Sequence, residues 1–490
     1  MKIITIGSLF WFLTCICGGT VSENRKQGGL LQKESLTIRN LTRAIELADN
    51  AFAAHFTGSG MAMARYYNPY TDVRSDEVGS IWMYTSTIEA VNAILHALQM
   101  EQEQGDGSLY KIHFDRYKEQ LRKLYDNADY YLGTFTLTSY TGTGEWTVYG
   151  VHRGASKGSA KVEGIENVYD DQMWLVRELL ESYKLTGEEQ YLEKAEYLTE
   201  YVLDGWDCTI GENGKEIGGI PWGPGYVTKH SCSNGPMVSP LVWLHELYKG
   251  KNDEVTHRYI DPEDGKTRKT VQMKKSDYYL AFAKKIYNWQ KQYLIREDGV
   301  YSDMMGGCTP GKPELEIIDG VTYRKGIICL DRGGTPFTYN SGTMLSGAAD
   351  LYRVTGNNKY LTEGSDLADA SFSFFAEKDR EVDGYYSYKI DGFNNWFNGV
   401  LMRAYVDFYP WYSKVGSYID SFQKNLDYGY DHFLHNGFLP SNLLTGWELN
   451  NNDDNREGMF SFSFAAEYAV LARYQLIDAD GNIDYYSFFK

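Results

Sequence analysis

The chain has 490 residues and a formal net charge of −18, which argues against nucleic-acid backbones and anionic membranes as partners because both require basic surfaces. A hydrophobic content of 43% is typical of a soluble globular protein with a large core. The aromatic content of 15%, with 41 Tyr and 11 Trp residues, exceeds what a core needs. Rings with one polar edge suit sites that are partly apolar and partly wet, although a Tyr-rich core has the same composition.

The N-terminus contains an apolar run from Ile3 to Cys17 that follows a lysine. The run is too short to span a membrane and is typical of the core of a signal peptide. We therefore expect residues 1–22 to be a signal peptide, or a lipoprotein signal if a cysteine in the run is lipidated, and residues 23–34 to be a polar linker. The protein is expected to be periplasmic, secreted or a cell-surface lipoprotein, with membrane contact only through a lipid anchor.

Four cysteines follow this segment. In an exported protein they are expected to form disulfides, and sequence order pairs Cys208 with Cys232 and Cys308 with Cys329. Neither pair has the spacing of a metal site, and the nine histidines are scattered along the chain. We expect neither a metal nor a cofactor.

Residues 35–490 are predicted to form one all-α domain of about twelve helices. Two helices end in the same pattern, Tyr183 to Gly187 and Tyr352 to Gly356, each with a glycine before a tight turn into the next helix. An even number of paired helices suggests two layers. The helices are expected to begin near Asn40, Glu77, Phe114, Asn167, Glu189, Ser233, Ser276, Asn340, Lys359, Asn395, Gly416 and Arg456.

The connectors between the predicted helices are unequal. Those that lead into alternate helices are long and rich in glycine and aromatic residues, whereas the others are short or bland. In a closed two-layer arrangement the long connectors share one rim of an inner ring, where functional residues are expected. Two insertions accompany this pattern: a charged surface excursion at residues 251–272, and a β-hairpin at 315–328 around Asp319 and Gly320.

Two adjacent carboxylates, Asp170 and Asp171, open one of the inner helices, with Asn167 as a plausible N-cap. Acids in a first turn often only complement the helix dipole. A rim of aromatic rings beside paired carboxylates is, however, what cleavage of a glycosidic bond requires, since one carboxyl group donates a proton and the other attacks or activates water. Adjacent residues can place the carboxyl groups on the order of 5 Å apart, as retention of configuration requires.

The sequence resembles glycoside hydrolase family 76, the endo-acting α-1,6-mannanases, from about residue 40 to residue 475. This resemblance implies an (α/α)6 barrel, which agrees with the count of about twelve helices. The motifs that carry it are Tyr169-Asp170-Asp171-Gln172-Met173-Trp174, Gly218-Gly219-Ile220-Pro221-Trp222, Tyr301-Ser302-Asp303 and Thr338-Tyr339-Asn340-Ser341-Gly342.

The resemblance also implies roles for individual residues. Asp170 corresponds to the nucleophile and Asp171 to the acid/base. Arg403 could bind sugar hydroxyls, although a structural ion pair is the alternative. The other residues expected to contact substrate are Trp82, Asn167, Tyr169, Trp222, Asp303, Tyr339, Asn340, Trp396 and Trp447; the tryptophans could instead belong to the core, Asp303 could be a loop acid, and Asn340 could be a helix cap.

The sequence therefore predicts a retaining glycoside hydrolase that cleaves α-1,6-mannosidic linkages, with endo action implied by the family. The expected partner is mannan or manno-oligosaccharides, and the expected state is a monomer. Two alternatives remain at this stage: a non-catalytic mannan-binding protein, which would keep the aromatic rim, and a transglycosidase that remodels cell walls.

Overall fold

The computed structural model describes residues 19–307, 311–328, 331–447 and 455–477, with the backbone alone for residues 19–35. These residues contain twelve α-helices, and each predicted helix has a counterpart. The helices are α1 (Gly19–His55), α2 (Ile81–Gln104), α3 (Ser108–Ala128), α4 (Tyr169–Thr186), α5 (Glu189–Asp204), α6 (Val238–Tyr248), α7 (Lys275–Leu294), α8 (Thr338–Thr355), α9 (Asn358–Phe375), α10 (Asn394–Phe408), α11 (Gly416–Phe433) and α12 (Gly458–Leu476).

The even-numbered helices form a closed inner ring. Helix α2 contacts α4, α4 contacts α6, and the contacts continue through α8, α10 and α12 back to α2. The helices α1, α3, α5, α7, α9 and α11 pack outside, on α12, α2, α4, α6, α8 and α10 respectively. This arrangement is an (α/α)6 barrel, so the predicted fold class is confirmed.

The two layers follow from how apolar residues are distributed around each helix. In the inner helix α12, every residue from Gly458 to Ala472 is buried, as expected for a helix that is surrounded by protein. The outer helix α11 buries a single stripe that includes Tyr418, Phe422 and Leu426. This stripe packs on the inner ring while the other side of the helix is exposed, which places α11 in the outer layer.

Short antiparallel strands lie in the connectors, and the hairpin predicted at 315–328 is present as β11 and β12. The two longer hairpins, β5–β6 and β8–β9, were not predicted, and the second occupies most of the segment expected to be a charged excursion. The strands are β1 (Phe56–Thr57), β2 (Ala62–Met63), β3 (Tyr66–Asn68), β4 (Val73–Arg74), β5 (Leu132–Thr138), β6 (Thr143–Tyr149), β7 (Lys229–His230), β8 (Glu254–Ile260), β9 (Arg268–Lys274), β10 (Met304–Met305), β11 (Leu315–Ile318), β12 (Val321–Arg324), β13 (Arg332–Gly333), β14 (Glu377–Lys378), β15 (Tyr386–Ser387) and β16 (Arg456–Glu457).

The segment expected to be a linker, residues 23–34, is helical and continuous with α1. Its Glu, Gln, Lys and Leu residues favour helix, and no proline interrupts it. Of the predicted signal segment, residues 1–18 lie outside the described residues. Among the helices that are described, none is both long enough and apolar enough to cross a membrane.

A buried ion pair fixes the connector between α5 and α6. The Lys229 ammonium lies 2.8 Å from Asp207 Oδ2 and donates to the carbonyl oxygens of Gly218 (2.6 Å) and Ile327 (3.0 Å). The Ile327 N–H in turn donates to Asp207 Oδ2 at 2.8 Å. Both charged side chains are at most 2% exposed, so this node joins three stretches of connector at the rim of the barrel.

We expect Lys229→Met to lower the free energy of unfolding by about 3–5 kcal/mol, because it leaves the Asp207 charge buried without its partner. Urea unfolding monitored by circular dichroism would measure the change. Lys325→Met is the matched control, since Lys325 pairs with Glu314 at the surface, where both side chains are more than half exposed, and its loss should have little effect. Equal stability of the Lys229 variant and the wild type would contradict the structural role.

Candidate active site

A cavity of about 470 Å³ opens at the end of the barrel where the inner helices begin. As predicted from the unequal connectors, Asp171, Trp222, Tyr339 and Trp396 line this one mouth. The lining comes from α2, α4, α8 and α10, from the connectors before them, and from the connector between α5 and α6. In full it is Ser80, Trp82, Val151, His152, Ile165, Glu166, Val168, Asp170, Asp171, Trp174, Trp222, Tyr226, His230, Cys232, Asp303, Met304, Phe337, Tyr339, Phe393, Trp396 and Phe397.

Two sets of hydrogen bonds fix the first turn of α4. The Tyr169 N–H donates to the carbonyl oxygen of Trp222 at 2.8 Å. The Gln172 side chain forms two hydrogen bonds with the Tyr149 backbone. Its Nε2 donates to the carbonyl oxygen at 2.8 Å, and its Oε1 accepts from the N–H at 3.1 Å. The two aspartates between these anchors are therefore held in place by strand β6 on one side and by the α5–α6 connector on the other.

The two adjacent aspartates have different electrostatic surroundings. Burial raises the pKa of Asp170 to about 6, while the Cys232 thiol and the backbone N–H groups of residues 170 and 171 oppose this increase. Burial and the neighbouring Asp170 charge raise the pKa of Asp171 well above its ordinary value, and nothing comparable opposes them. At neutral pH these surroundings favour an ionised Asp170 beside a protonated Asp171.

A third carboxyl group, Asp303, faces the same cavity. It precedes β10, which pairs with β7, and its backbone carbonyl accepts a hydrogen bond from the Ser231 N–H at 2.7 Å. Its Oδ1 accepts from the Tyr339 hydroxyl at 3.4 Å and from the Asn340 amide at 3.5 Å. Burial raises the pKa of Asp303 to about 6, although these two donors favour its ionised form.

Aromatic rings form two walls of the cavity. On one side the Trp396 ring is edge-on to Trp82 and Trp174, with centroids 5.3 and 4.8 Å apart. On the other side Trp222 stacks on His230, with centroids 4.8 Å apart and the planes 22° from parallel. Among the described residues, the buried Nε1 of Trp82 has no hydrogen-bond partner, so this indole can donate to a ligand hydroxyl. The Trp222 indole is oriented toward Asp170, where it favours the charged form of that carboxyl group.

Five residues nominated as substrate contacts do not line the cavity that the described residues form. The Asn167 amide donates to the Tyr201 hydroxyl at 2.7 Å, and the Tyr169 ring packs on the same tyrosine, so both attach α4 to the outer helix α5. Val168, not Asn167, occupies the N-cap position of α4. Arg403 forms an ion pair with Glu89 in the barrel interior.

The other two are Trp447 and Asn340. Trp447 Nε1 donates to the carbonyl of Phe433 at 2.6 Å, in a separate cluster around Tyr67 and Phe438. Asn340 lies one layer behind the cavity wall, where it contacts Asp303 rather than the open space. It is not a helix cap, because α8 has Phe337 at that position.

The predicted disulfide between Cys208 and Cys232 is wrong, because both are free buried thiols. Cys232 faces the cavity beside Asp170. Cys208 instead lies in a groove on the outer side, near Trp206 and Phe282. Sequence proximity paired the two cysteines, but the α5–α6 connector carries them to different surfaces. The predicted bond between Cys308 and Cys329 lies outside the described residues.

Sequence reasoning missed several residues of the cavity. Trp174 had a usable signal, since it follows Asp171 by three positions and so shares its helix face. His230, Cys232 and Phe393 had none, because they lie on irregular connectors whose side-chain directions depend on the fold. Within the described part of the chain, no cluster of three or more His, Cys, Asp or Glu side chains has the arrangement of a metal site.

A sequence model described as glycosyl hydrolase family 76 matches residues 152–250 and 271–389. These two segments include Asp170, Asp171, Trp222, Asp303 and Tyr339. Over these segments the chain is similar to glycosyl hydrolase family 76.

A curated relative and several solved structures are also similar to this chain. The mannan endo-1,6-alpha-mannosidase DCW1 of Saccharomyces cerevisiae is 24% identical over 189 residues, which cover 39% of this chain and 33% of that protein. The family 76 mannosidase Bt3792 of Bacteroides thetaiotaomicron VPI-5482 superposes with a TM-score of 0.63 at 19% identity, covering 89% of this chain and 98% of that one. An inactive variant of the α-1,6-mannanase GH76A of Salegentibacter sp. HEL1_6, solved with an α-1,6-linked mannose tetramer, gives a TM-score of 0.57 at 18% identity, covering 89% and 99%.

The raised pKa of Asp303 makes the stability of this protein depend on pH in a defined direction. The folded state binds the Asp303 proton more tightly than the unfolded state does, so this group lowers stability as the pH rises from about 4 through 6. We therefore expect Asp303→Asn to raise the free energy of unfolding by about 2–3 kcal/mol at pH 7.5 and by much less at pH 4.

Urea unfolding at the two pH values would measure this difference. Asp298→Asn is the control, because the pairing with Arg296 lowers the pKa of Asp298. The effect of this substitution on the free energy of unfolding should have the opposite sign. Any loss of stability should appear at neutral pH and vanish in acid. If Asp303→Asn raised the free energy of unfolding equally at both pH values, the charge of Asp303 would not be the cause.

Proposed function

We propose that this protein hydrolyses α-1,6-mannosidic linkages with retention of configuration. The observation that carries the proposal is the placement of Asp170 and Asp171 side by side in the first turn of α4, where both line an aromatic cavity but have different surroundings. Retaining glycosidases need one ionised carboxylate as nucleophile and one protonated carboxyl group as acid, and different surroundings are what separate such a pair. Here the first-turn amides and the Cys232 thiol favour the charged form of Asp170 alone.

The reaction follows from these two states. Asp171 donates its proton to the glycosidic oxygen while an Asp170 oxygen attacks the anomeric carbon, so the leaving sugar departs as an alcohol and the other sugar becomes an ester of Asp170. Asp171, now ionised, takes a proton from water as the water oxygen attacks the same carbon. The ester bond breaks, Asp170 regains its charge, and Asp171 regains its proton. Two inversions give net retention.

The substrate class rests on the comparisons and on the cavity walls together. The named relatives include a mannan endo-1,6-alpha-mannosidase and an α-1,6-mannanase, and the inactive variant of the latter has two consecutive aspartates replaced by alanine. In this chain the consecutive aspartates line the same cavity as Trp82, Trp222 and Trp396, and such rings suit the apolar faces of sugars. The name of the yeast relative supports endo action.

We also propose export through the apolar N-terminal run and a monomeric state, as the sequence predicts.

Cleavage of soluble α-1,6-linked mannose oligomers by the purified protein, followed by ¹H NMR of the newly formed reducing end, tests the reaction and its stereochemistry together. Retention with internal cleavage would support the proposal. Binding of the oligomers without cleavage would favour a mannan-binding protein, and transfer to a second oligomer in place of water would favour a transglycosidase.

We expect Asp170→Ala to lose several orders of magnitude in kcat on every α-mannoside, because the covalent step is removed. Asp171→Ala should instead keep its first step on an aryl mannoside whose leaving group needs no proton, and added azide should speed turnover by trapping the intermediate as a glycosyl azide of retained configuration. Steady-state kinetics and NMR of the azide product would measure both. Equal losses in both variants on all substrates, without azide product, would contradict these roles.

The pH dependence of the wild type gives a second expectation. Activity should rise as the pH passes through about 6, because Asp170 must be ionised to attack. It should fall again at higher pH when Asp171 loses its proton. A profile of kcat/KM against pH would show a bell whose alkaline limb is lost in Asp171→Ala with the aryl substrate. Persistence of that limb would point to a different acid.

A further inference from the structure

The indole of Trp396 is hydrogen-bonded to a carboxylate in the barrel interior. Trp396 lies in the first turn of α10, and its Nε1 donates a hydrogen bond of 2.9 Å to Oε2 of Glu89 on α2. The residue is only 3% exposed, although its ring lines the cavity. This bond therefore reaches from the substrate cavity into the space between the inner helices.

The other oxygen of Glu89 accepts from the Arg403 guanidinium in an ion pair. Arg403 follows Trp396 by seven residues on α10, so both lie on the same face of that helix, about two turns apart. The side chains of the pair are 8% and 12% exposed. One carboxylate thus joins two turns of α10 to α2, and the arginine both compensates its charge and restricts its orientation.

The orientation of Trp396 has consequences for its neighbours in the cavity. Its ring is perpendicular to those of Trp82 on α2 and Trp174 on α4, with interplanar angles of 87° and 84°. Trp174 follows Asp171 by three positions on α4. A rotation of the Trp396 indole would therefore move the wall that a sugar touches and the ring that packs beside the acid/base.

We propose that Glu89, held by Arg403, is a positioning residue that fixes Trp396 as the rigid wall of the sugar site. This inference rests on the proposed function for its kinetic consequences, whereas the orientation of the ring can be tested without any activity. Arg403, nominated from sequence as a sugar ligand, is assigned this indirect role instead. A fixed ring contributes to substrate binding because no orientation has to be selected when the sugar arrives.

The test compares two double variants, because removing Glu89 alone would leave Arg403 buried without a partner and could unfold the protein. Glu89→Met with Arg403→Met removes both charges and the acceptor of the indole bond. Glu89→Gln with Arg403→Met also removes both charges but keeps an acceptor oxygen. We expect the first pair to raise KM for mannose oligomers about tenfold with a smaller change in kcat, and the second to stay within about threefold of wild type.

The same substitutions in a Trp396→Phe background separate positioning from a general structural effect. Since phenylalanine has no N–H to position, the difference between the Met and Gln pairs should disappear there. Glu467→Gln is the matched control: Glu467 is a buried carboxyl group of the same interior, burial raises its pKa to about 8, and its replacement should leave KM unchanged. A Met–Gln difference that persists without the indole would overturn the proposal.

¹⁹F NMR of protein labelled with 5-fluorotryptophan provides the readout that needs no catalysis. The Trp396 resonance, assigned by its absence in Trp396→Phe, should shift and broaden in the Met pair and remain near its wild-type position in the Gln pair. If the wild type cleaves no mannoside, the proposed function fails while this spectrum still decides the role of Glu89. An unchanged Trp396 resonance in the folded Met pair would refute the inference whatever the activity.

Discussion

Closure of the six inner helices is the constraint on which the other features depend. An outer helix follows each of the first five inner helices and returns the chain to the end where the next inner helix begins, so the six inner helices run in the same direction and their first turns collect at one end. The N-terminal ends of helices carry partial positive charge and unpaired N–H groups. The backbone of the barrel by itself therefore makes this end favourable for anionic side chains. The connectors that lead to it must be long enough to return from the outer layer.

The site uses this surface asymmetrically. Both aspartates are held where burial disfavours their charge, yet only Asp170 faces groups that compensate it. The cost of burying acids is therefore reduced by leaving a proton on Asp171, which is the state that an acid catalyst needs. Burial likewise raises the pKa of Asp303, which lines the same cavity. Such sites trade stability at neutral pH for chemical function, and the rigid anchors around α4 are what keep them folded.

Below the cavity, the barrel interior is polar rather than purely apolar. Glu89 and Arg403 are joined there by Arg177 and Glu178, which form a second ion pair, and by the Asn92 amide, which donates to Glu178 Oε2 at 2.8 Å. Buried charges of this kind contribute little net stability but require specific geometry. Their position beneath Trp396 suggests that the interior is built to fix the orientation of the wall above it.

The sequence alone predicted the helices, their alternation between layers and the shared mouth. These features depend on local spacing: helical periodicity marks each element, glycine marks its end, and long connectors mark the functional rim. The motif around Asp170 was equally readable, because adjacent residues in one helical turn must lie close together whatever the rest of the chain does. The family resemblance added roles for the two acids that spacing could not supply.

Only the tertiary structure decided which side chains face the cavity. Trp396 and Trp447 both follow long connectors and could not be distinguished by sequence, yet one lines the site and the other packs in a separate cluster. Arg403 is paired with a residue 314 positions away, and Cys208 and Cys232, only 24 positions apart, face different surfaces. Local patterns define elements, whereas contacts across a closed ring depend on how all twelve helices pack, and no segment of sequence contains that information by itself.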